Sequence, residues 1–471
     1  MFGLDTTFTI LLIICLLAAA GFEFINGFHD TANAVATVIY THSIKPVTAV
    51  IWSGLWNFIG VNVGGIAVAL GIINLLPVEL LVDQNLTHSI SMILALIITA
   101  IIWNLATWYF GIPCSSSHTL IGSILVVGLA FYFLPGVSTY ALNWQKVIDV
   151  GLSLLISPVF GFAFAMFLMF ILRKTVKNKL IFKEPPAKKA PPLWIRSILV
   201  LTCTSVSYAH GSNDGQKGVG LIMLILIAFS PVYFSVDRSK NPEELLYETR
   251  QIEWNITHID SSTILPANRE SLRVVVKNLG FIKDTLNGVT SFDQLKKDDH
   301  FELRKAIILV SKNTESMLKS FKGQPVAKIS PTRTAILSSN LKKFKSNTEY
   351  SPRWVILLVS ISLGLGTMIG WKRIVVTIGE KIGKTHLTYA QGASAELVAA
   401  STITVSSMFG LPVSTTHVLS SGIAGSMVAG GGRQNLRMGT VRNILIAWLI
   451  TLPVTVIFSG LLFYILRIIF K

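Results

Sequence analysis

Glu23, Asn26, His29, Asp30 and Asn33 sit in a stretch, Phe8 to Tyr40, that is otherwise mostly apolar. A carboxylate at bilayer depth is costly, so it normally faces a cavity, a partner or an ion. Gly27 beside this polar set predicts a helix broken in mid-membrane, where unwound carbonyls and carboxylates hold a cation. A paired, purely architectural acid is the alternative. The second group of reactive types is the turn Gly111-Ile-Pro-Cys-Ser-Ser-Ser-His118, with its near copy Gly410-Leu-Pro-Val-Ser-Thr-Thr-His417. In each, a proline breaks the preceding helix and hydroxyls stand where a new one starts. They bring donors beside unpaired backbone N–H groups. A helix N-terminus of that kind receives anions. Two of them, Ser115, Ser116 and Ser117 facing Ser414, Thr415 and Thr416, would cradle a tetrahedral oxyanion. Ordinary N-capping is the competing reading. Histidine as a residue type titrates near neutrality, so His118 and His417 are candidates for proton handling; a structural hydrogen bond accounts for them equally well.

Both groups occur twice, in the same order. A shift of 184 residues places Gly27-Phe-His-Asp30 on Gly211-Ser-Asn-Asp214, and a shift of 299 places Phe110–Leu120 on Phe409–Leu419. Two matches in register make an internal repeat, and many transporters are built from such halves with the site near the midplane between them. The shifts differ by 299 − 184 = 115, so the second half carries an insertion of that length. Residues 235–350 fit it: they lack a long apolar run and hold 19 Lys/Arg against 14 Asp/Glu. Segments such as ESLRVVVKNLGFIKDTLNGV show helical amphipathic spacing there, so the insert reads as soluble helix with no nucleotide or metal motif.

The whole chain has 471 residues, 51% hydrophobic and 14% charged, with a mean hydropathy of +0.61. Repeated apolar runs of spanning length make it a polytopic membrane protein. The net charge of +16 does not indicate nucleic-acid binding, because outside the insert the bases cluster in short loops, as the positive-inside rule expects. Cys15, Cys114 and Cys203 all lie in apolar segments and make neither a disulfide framework nor a spaced metal site. No cofactor motif occurs. The first apolar run has no basic flank and reads as a retained span.

The expected order is a first transmembrane repeat over 1–172, a basic cytoplasmic linker at 173–194, and the start of a second repeat at 195–234. The insert at 235–350 and the rest of the second repeat at 351–471 follow. Spans are predicted at 8–39 (broken near its motif), 46–73, 90–110, 119–134 and 147–172. The second half has a broken span at 195–233, one at 353–371, a basic connection at 372–389, a hairpin at 390–429 and a last span at 443–466. An odd number of crossings per half inverts the second repeat. The basic loops then share one side, opposite the acidic loop 74–89 with Glu79 and Asp83. The fold class is all-α polytopic: two inverted repeats with broken helices and helical hairpins, about 10–12 membrane segments by span length, and a soluble helical insert.

Four of the ten acids outside the insert, Glu23, Asp30, Asp214 and Glu396, fall in apolar spans. Buried acids beside anion donors fit a protein in which a cation or proton neutralises the acids while an anion binds. Lys217, three residues past Asp214, is the one base at that depth; it pairs with Asp214 or helps hold the anion. A membrane enzyme using Ser115 and His118 is disfavoured, since adjacent Ser and His rarely align and no Gly-x-Ser-x-Gly elbow occurs.

At these residues the chain resembles the inorganic phosphate transporter (Pit) family, bacterial low-affinity members above all, over 1–234 and 351–471. The repeated GAND-type signature and the repeated G-x-P-x-S-[ST]-[ST]-H turns carry the resemblance. It implies inverted repeats in a multi-pass bacterial inner membrane protein that imports phosphate by secondary active transport. By position it implies phosphate on Ser115, Ser116, Ser117, Ser414, Thr415 and Thr416, and a coupling cation near Asp30, Asn33, Asn213 and Asp214. Glu396 matches an acid that the family carries before the second hairpin, and Glu23 joins the coupling set. His29 stands where the family has Asn, which favours proton over sodium coupling. Sodium coupling, carriage of a neutral metal–phosphate complex, a different oxyanion such as sulfate, and a homodimer stay open.

Overall fold

The computed structural model describes residues 2–75, 86–132, 144–186, 189–258, 266–321 and 331–470. Glu79 and Asp83 lie outside them, as does the side chain of Asn33. The chain forms two compact units. One is Leu226–Tyr350 with the N-terminal residues to Thr9, and the other holds most of the remaining chain.

In the larger unit the first half runs α1 (Thr6–Tyr40), α2 (Pro46–Val63), α3 (Ala67–Ile73), α4 (Leu86–Tyr109), α5 (Ser116–Tyr132) and α6 (Trp144–Thr175). The second half begins with α7 (Leu193–Phe229), which ends in the smaller unit. The smaller unit contains α8 (Pro231–Phe234), α9 (Pro242–Thr257), α10 (Pro266–Leu286), α11 (Lys297–Phe321) and α12 (Pro331–Lys345). The second half then resumes with α13 (Arg353–Thr367), α14 (Lys372–Val376), α15 (Tyr389–Met408), α16 (Thr415–Gly431) and α17 (Met438–Ile469). Four helices among the described residues are each long and apolar enough to cross a membrane, and two bent pairs raise the count to six. Large side chains such as Leu155, Val159, Phe167, Leu449, Ile457 and Leu461 on α6 and α17 are exposed, as lipid-facing surfaces require.

The breaks fall elsewhere than the polar motifs suggest. α1 and α7 are continuous through Gly27 and Gly211. The bent pairs are α2 with α3, at 72°, and α13 with the helical segment 372–381, at 56°. Gly27 serves close packing instead: a Cβ there would strike the backbone of Leu363, Gly366 and Thr367 on α13. Gly211 does the same against Asn57 of α2. Each motif helix therefore crosses the broken span of the other half. The expected basic connection 372–389 begins as helix because Ile374, Val375, Ile378 and Ile382 are buried at helical spacing while Lys372 and Arg373 are exposed. Adding a methyl at either motif glycine should overpack these crossings. Gly27→Ala and Gly211→Ala are each expected to cost about 1–3 kcal/mol, read as a lower Tm of the detergent-purified protein.

The hairpins α4–α5 and α15–α16 repeat in geometry as well as sequence. Gly111 and Gly410 both take a left-handed φ of 64°. Ile112 N–H bonds the Thr107 carbonyl and Leu411 N–H bonds the Ser406 carbonyl, both at 2.9 Å, a Schellman-type closure that favours glycine at that position. The hairpins also exchange partners: α16 packs on α6 and α5 on α17. The basic stretches gather together, with Arg173 donating to the Gly430 carbonyl at 2.6 Å. Lys384 N–H bonds the Asn435 carbonyl at 2.7 Å, and Arg437 N–H bonds the Ile382 carbonyl at 3.0 Å.

The smaller unit is a ring of four helices, α9 to α12, around Leu245, Ile252, Leu279, Ile307, Val310 and Phe344. Its entry and exit lie side by side, Asp237 N–H bonding the Asn347 carbonyl at 2.8 Å. Buried Arg304 donates to the Ser235 carbonyl at 2.9 Å and to those of Phe234 and Thr348 at 3.5 Å. Burial lowers its pKa to about 10, so it stays charged near neutrality.

Candidate functional site

Asp30 receives hydrogen bonds from both hairpins. Ser116 at the start of α5 donates to its Oδ2 at 2.9 Å, and Thr416 in the first turn of α16 donates to its Oδ1. His29 Nδ1 lies 3.3 Å from the same Oδ1, while its Nε2 meets Thr107 Oγ1 at 3.1 Å. A single carboxylate, 2% exposed, thus holds elements that are 386 residues apart in sequence.

Asp214, its repeat counterpart, is fully buried and pairs with Lys217 at 2.6 Å. Lys217 Nζ also donates to Ser117 Oγ and to the Val413 carbonyl, the latter at 3.0 Å. Ser117 in turn donates to the Val413 carbonyl at 2.8 Å. Asn213 fastens the second tip through Ser407 Oγ at 2.8 Å, the Leu411 carbonyl at 3.3 Å and Val413 N–H at 3.3 Å. The two tips meet in this region. His118 and His417 lie with ring centroids 4.5 Å apart, and Trp448 stacks on His417 at 3.8 Å.

Between the aspartates stands His210, which the motif comparison did not single out. Its Nε2 lies 3.5 Å from Asp214 Oδ2 and 3.9 Å from Asp30 Oδ2. The hydrogen-bond chain behind it assigns its tautomer. Thr367 Oγ1 donates to the Leu363 carbonyl at 2.8 Å, so it accepts from Asn57 Nδ2 at 2.9 Å. Asn57 Oδ1 is then the acceptor for His210 Nδ1 at 2.9 Å. A neutral His210 would aim a lone pair at two carboxylates, which is unfavourable. The ring is therefore either protonated or shares a cation with them. Asp30, His210 and Asp214 offer ligand atoms all within 4.8 Å of one another, a set that suits a divalent cation. The signal was available in sequence: His210 precedes the repeated glycine and falls on Asn26 after the 184-residue shift.

Of the other two buried acids, Glu23 lies on α1 and Glu396 on α15. Glu23, Asp30 and Thr37 follow one another at seven-residue spacing on one face, about 10 Å apart at 1.5 Å per residue. Glu23 is buried, and Asn26 Nδ2 approaches its Oε2 at 3.3 Å. Thr37 and Thr202 each donate to Glu396 of α15, Thr202 at 2.5 Å. Glu396 thus joins α15 to α1 and α7 through two threonine hydroxyls.

The six hairpin hydroxyls divide by what they touch. Ser115 and Ser414 cap α5 and α16, accepting from His118 N–H and His417 N–H, both at 3.1 Å. Ser115 also meets His118 Nδ1 at 2.8 Å. Ser116 and Thr416 lie on Asp30, and Ser117 joins Lys217 to Val413. Thr415 Oγ1 is buried without a hydrogen bond among the described residues.

Hydroxyls, carboxylates and imidazoles are buried together where two helical hairpins meet in this all-helical membrane protein, an arrangement that suits a membrane transporter. The chain belongs to the phosphate transporter family, whose profile matches residues 26–459. It is 40% identical over 500 residues to the low-affinity inorganic phosphate transporter PitA of Escherichia coli K12, covering 98% of each chain. A probable low-affinity inorganic phosphate transporter of Bacillus subtilis is 30% identical over 462 residues, again covering 98% of each chain. A solved structure described as the sodium-dependent phosphate transporter shares the fold. Its TM-score is 0.55 at 21% identity, and the match covers 98% of this chain and all of that one.

Proposed function

We propose that this chain imports inorganic phosphate across the bacterial inner membrane as a secondary active transporter coupled to protons. The observation that carries the reading is Asp30 held by Ser116 and Thr416, one hydroxyl from each hairpin. These donors face an acid, and a phosphate brought to the same donors would meet that acid's negative charge. Protonating Asp30 removes the repulsion and releases both hydroxyls for the anion, so proton and phosphate bind together or not at all. Buried Glu23, seven residues before Asp30 on α1, provides a further proton-accepting group at depth, as relays in pumps and transporters do. The family relationship and the relatives named for inorganic phosphate supply the substrate.

One observation favours a variant of this reading. The cluster of Asp30, His210 and Asp214 suits a divalent cation, so phosphate travels as a neutral metal complex when that cluster is filled. Uptake of labelled phosphate into proteoliposomes tests both. A protonophore is expected to collapse uptake, replacing sodium with choline to leave it unchanged, and excess sulfate not to compete. A requirement for magnesium would select the metal complex, and a strict sodium requirement would remove proton coupling.

A further inference from the structure

Lys217 is 1% exposed, and every proton on its ammonium is engaged by a protein oxygen. An ammonium has three donors and no acceptor. Here they go to a carboxylate oxygen of Asp214, the backbone carbonyl of Val413 and the hydroxyl of Ser117. With its donors spent on the protein, Lys217 has none left for an anion. Carboxylate, carbonyl and hydroxyl oxygens around one positive charge are also the donors that a hard metal cation takes. The cage draws on α7 and both hairpin tips.

The repeat shows what stands at this place in the other half. The 184-residue shift that carries Asp30 onto Asp214 carries Asn33 onto Lys217. One half thus has an acid followed at three residues by a neutral amide, and the other an acid followed by a fixed cation. Resting on the reading that the repeated acids serve a coupling cation, we infer that Lys217 is a tethered cation occupying the second repeat's cage. This half takes no sodium because its own chain already fills the position. Lys217 thereby determines which ion the transporter uses. It positions both hairpin tips and stays out of the phosphate's first contacts.

Restoring the amide should recreate an exchangeable site. Full-length wild type, Lys217→Asn and Lys217→Ala are purified in detergent without phosphate. Thermal unfolding is then compared in choline, sodium and ammonium chloride at one ionic strength. Sodium is expected to raise the Tm of both variants by several degrees more than that of the wild type, and ammonium to do so for Lys217→Ala. If a variant does not survive in choline, its recovery as folded protein only when extracted in sodium or ammonium counts the same way. The inference is overturned if these cations move the variants no more than the wild type, or if no salt recovers them. Because the readout needs no phosphate, a wild type that carries none would remove the transport reading and leave the cation result standing.

Discussion

Asp30→Asn is expected to reduce concentrative phosphate uptake to background while the protein folds and reaches the membrane normally. The amide keeps the size of the side chain and one acceptor oxygen, but it cannot take up a proton and presents N–H groups to a hydroxyl. At least one charge-assisted bond to Ser116 or Thr416 is lost, worth about 1.5–3 kcal/mol. The larger loss is the carboxylate whose charge excludes phosphate until it is neutralised; without it, phosphate and proton no longer bind as one event. Asp214→Asn should also stop uptake, by a different route. It leaves the Lys217 ammonium buried without its counter-charge, and breaking a buried pair in that way costs about 3–5 kcal/mol. The fall in Tm should therefore be clearly larger for Asp214→Asn than for Asp30→Asn. The double variant Asp214→Asn with Lys217→Asn should recover part of that loss, since the two effects are coupled. Full uptake by either single variant would remove the two acids from the coupling step.

What could be read from sequence followed from duplication. The 184- and 299-residue shifts located Asp30, Asp214 and both hairpin turns, and the identical φ of Gly111 and Gly410 shows that repeated sequence became repeated backbone. Residues 235–350, singled out by composition, hold the four helices α9 to α12. The break positions were not legible. A glycine beside polar residues looks the same in sequence whether the helix unwinds there or another backbone presses against it. Only the crossings of Gly27 with α13 and of Gly211 with α2 tell the two apart. The same limit explains His210. Its role depends on Asn57 and Thr367 fixing one ring nitrogen so that the other faces both aspartates, and those residues belong to different helices. Lys217 was visible as a base at depth, but nothing in its neighbours along the chain indicates that the Val413 carbonyl and Ser117 would use up its donors.

Hydroxyl substitutions separate capping from anion binding, because the structure gives the six positions different work. Ser115→Ala and Ser414→Ala remove N-caps and should cost about 1 kcal/mol of stability each, with little change in the apparent KM for phosphate. Ser116→Ala and Thr416→Val each remove a donor to a buried charge. If the same donors turn to phosphate, each loss is worth about 1.5–3 kcal/mol, or roughly 10- to 150-fold in apparent affinity. They approach from opposite hairpins, so the paired variant should approach the product of the two, beyond what uptake assays can measure. A single helix end offers about half a unit of positive charge, too little for a phosphate carrying one to two negative charges, which is why donors from both halves are needed. Thr415→Val gives the sharpest contrast. Its hydroxyl is buried and makes no hydrogen bond among the described residues, so its loss should leave Tm unchanged or raise it while raising KM several-fold. Should Ser116→Ala, Thr416→Val and Thr415→Val all transport with wild-type KM, the hairpin tips are capped helix ends and phosphate binds elsewhere.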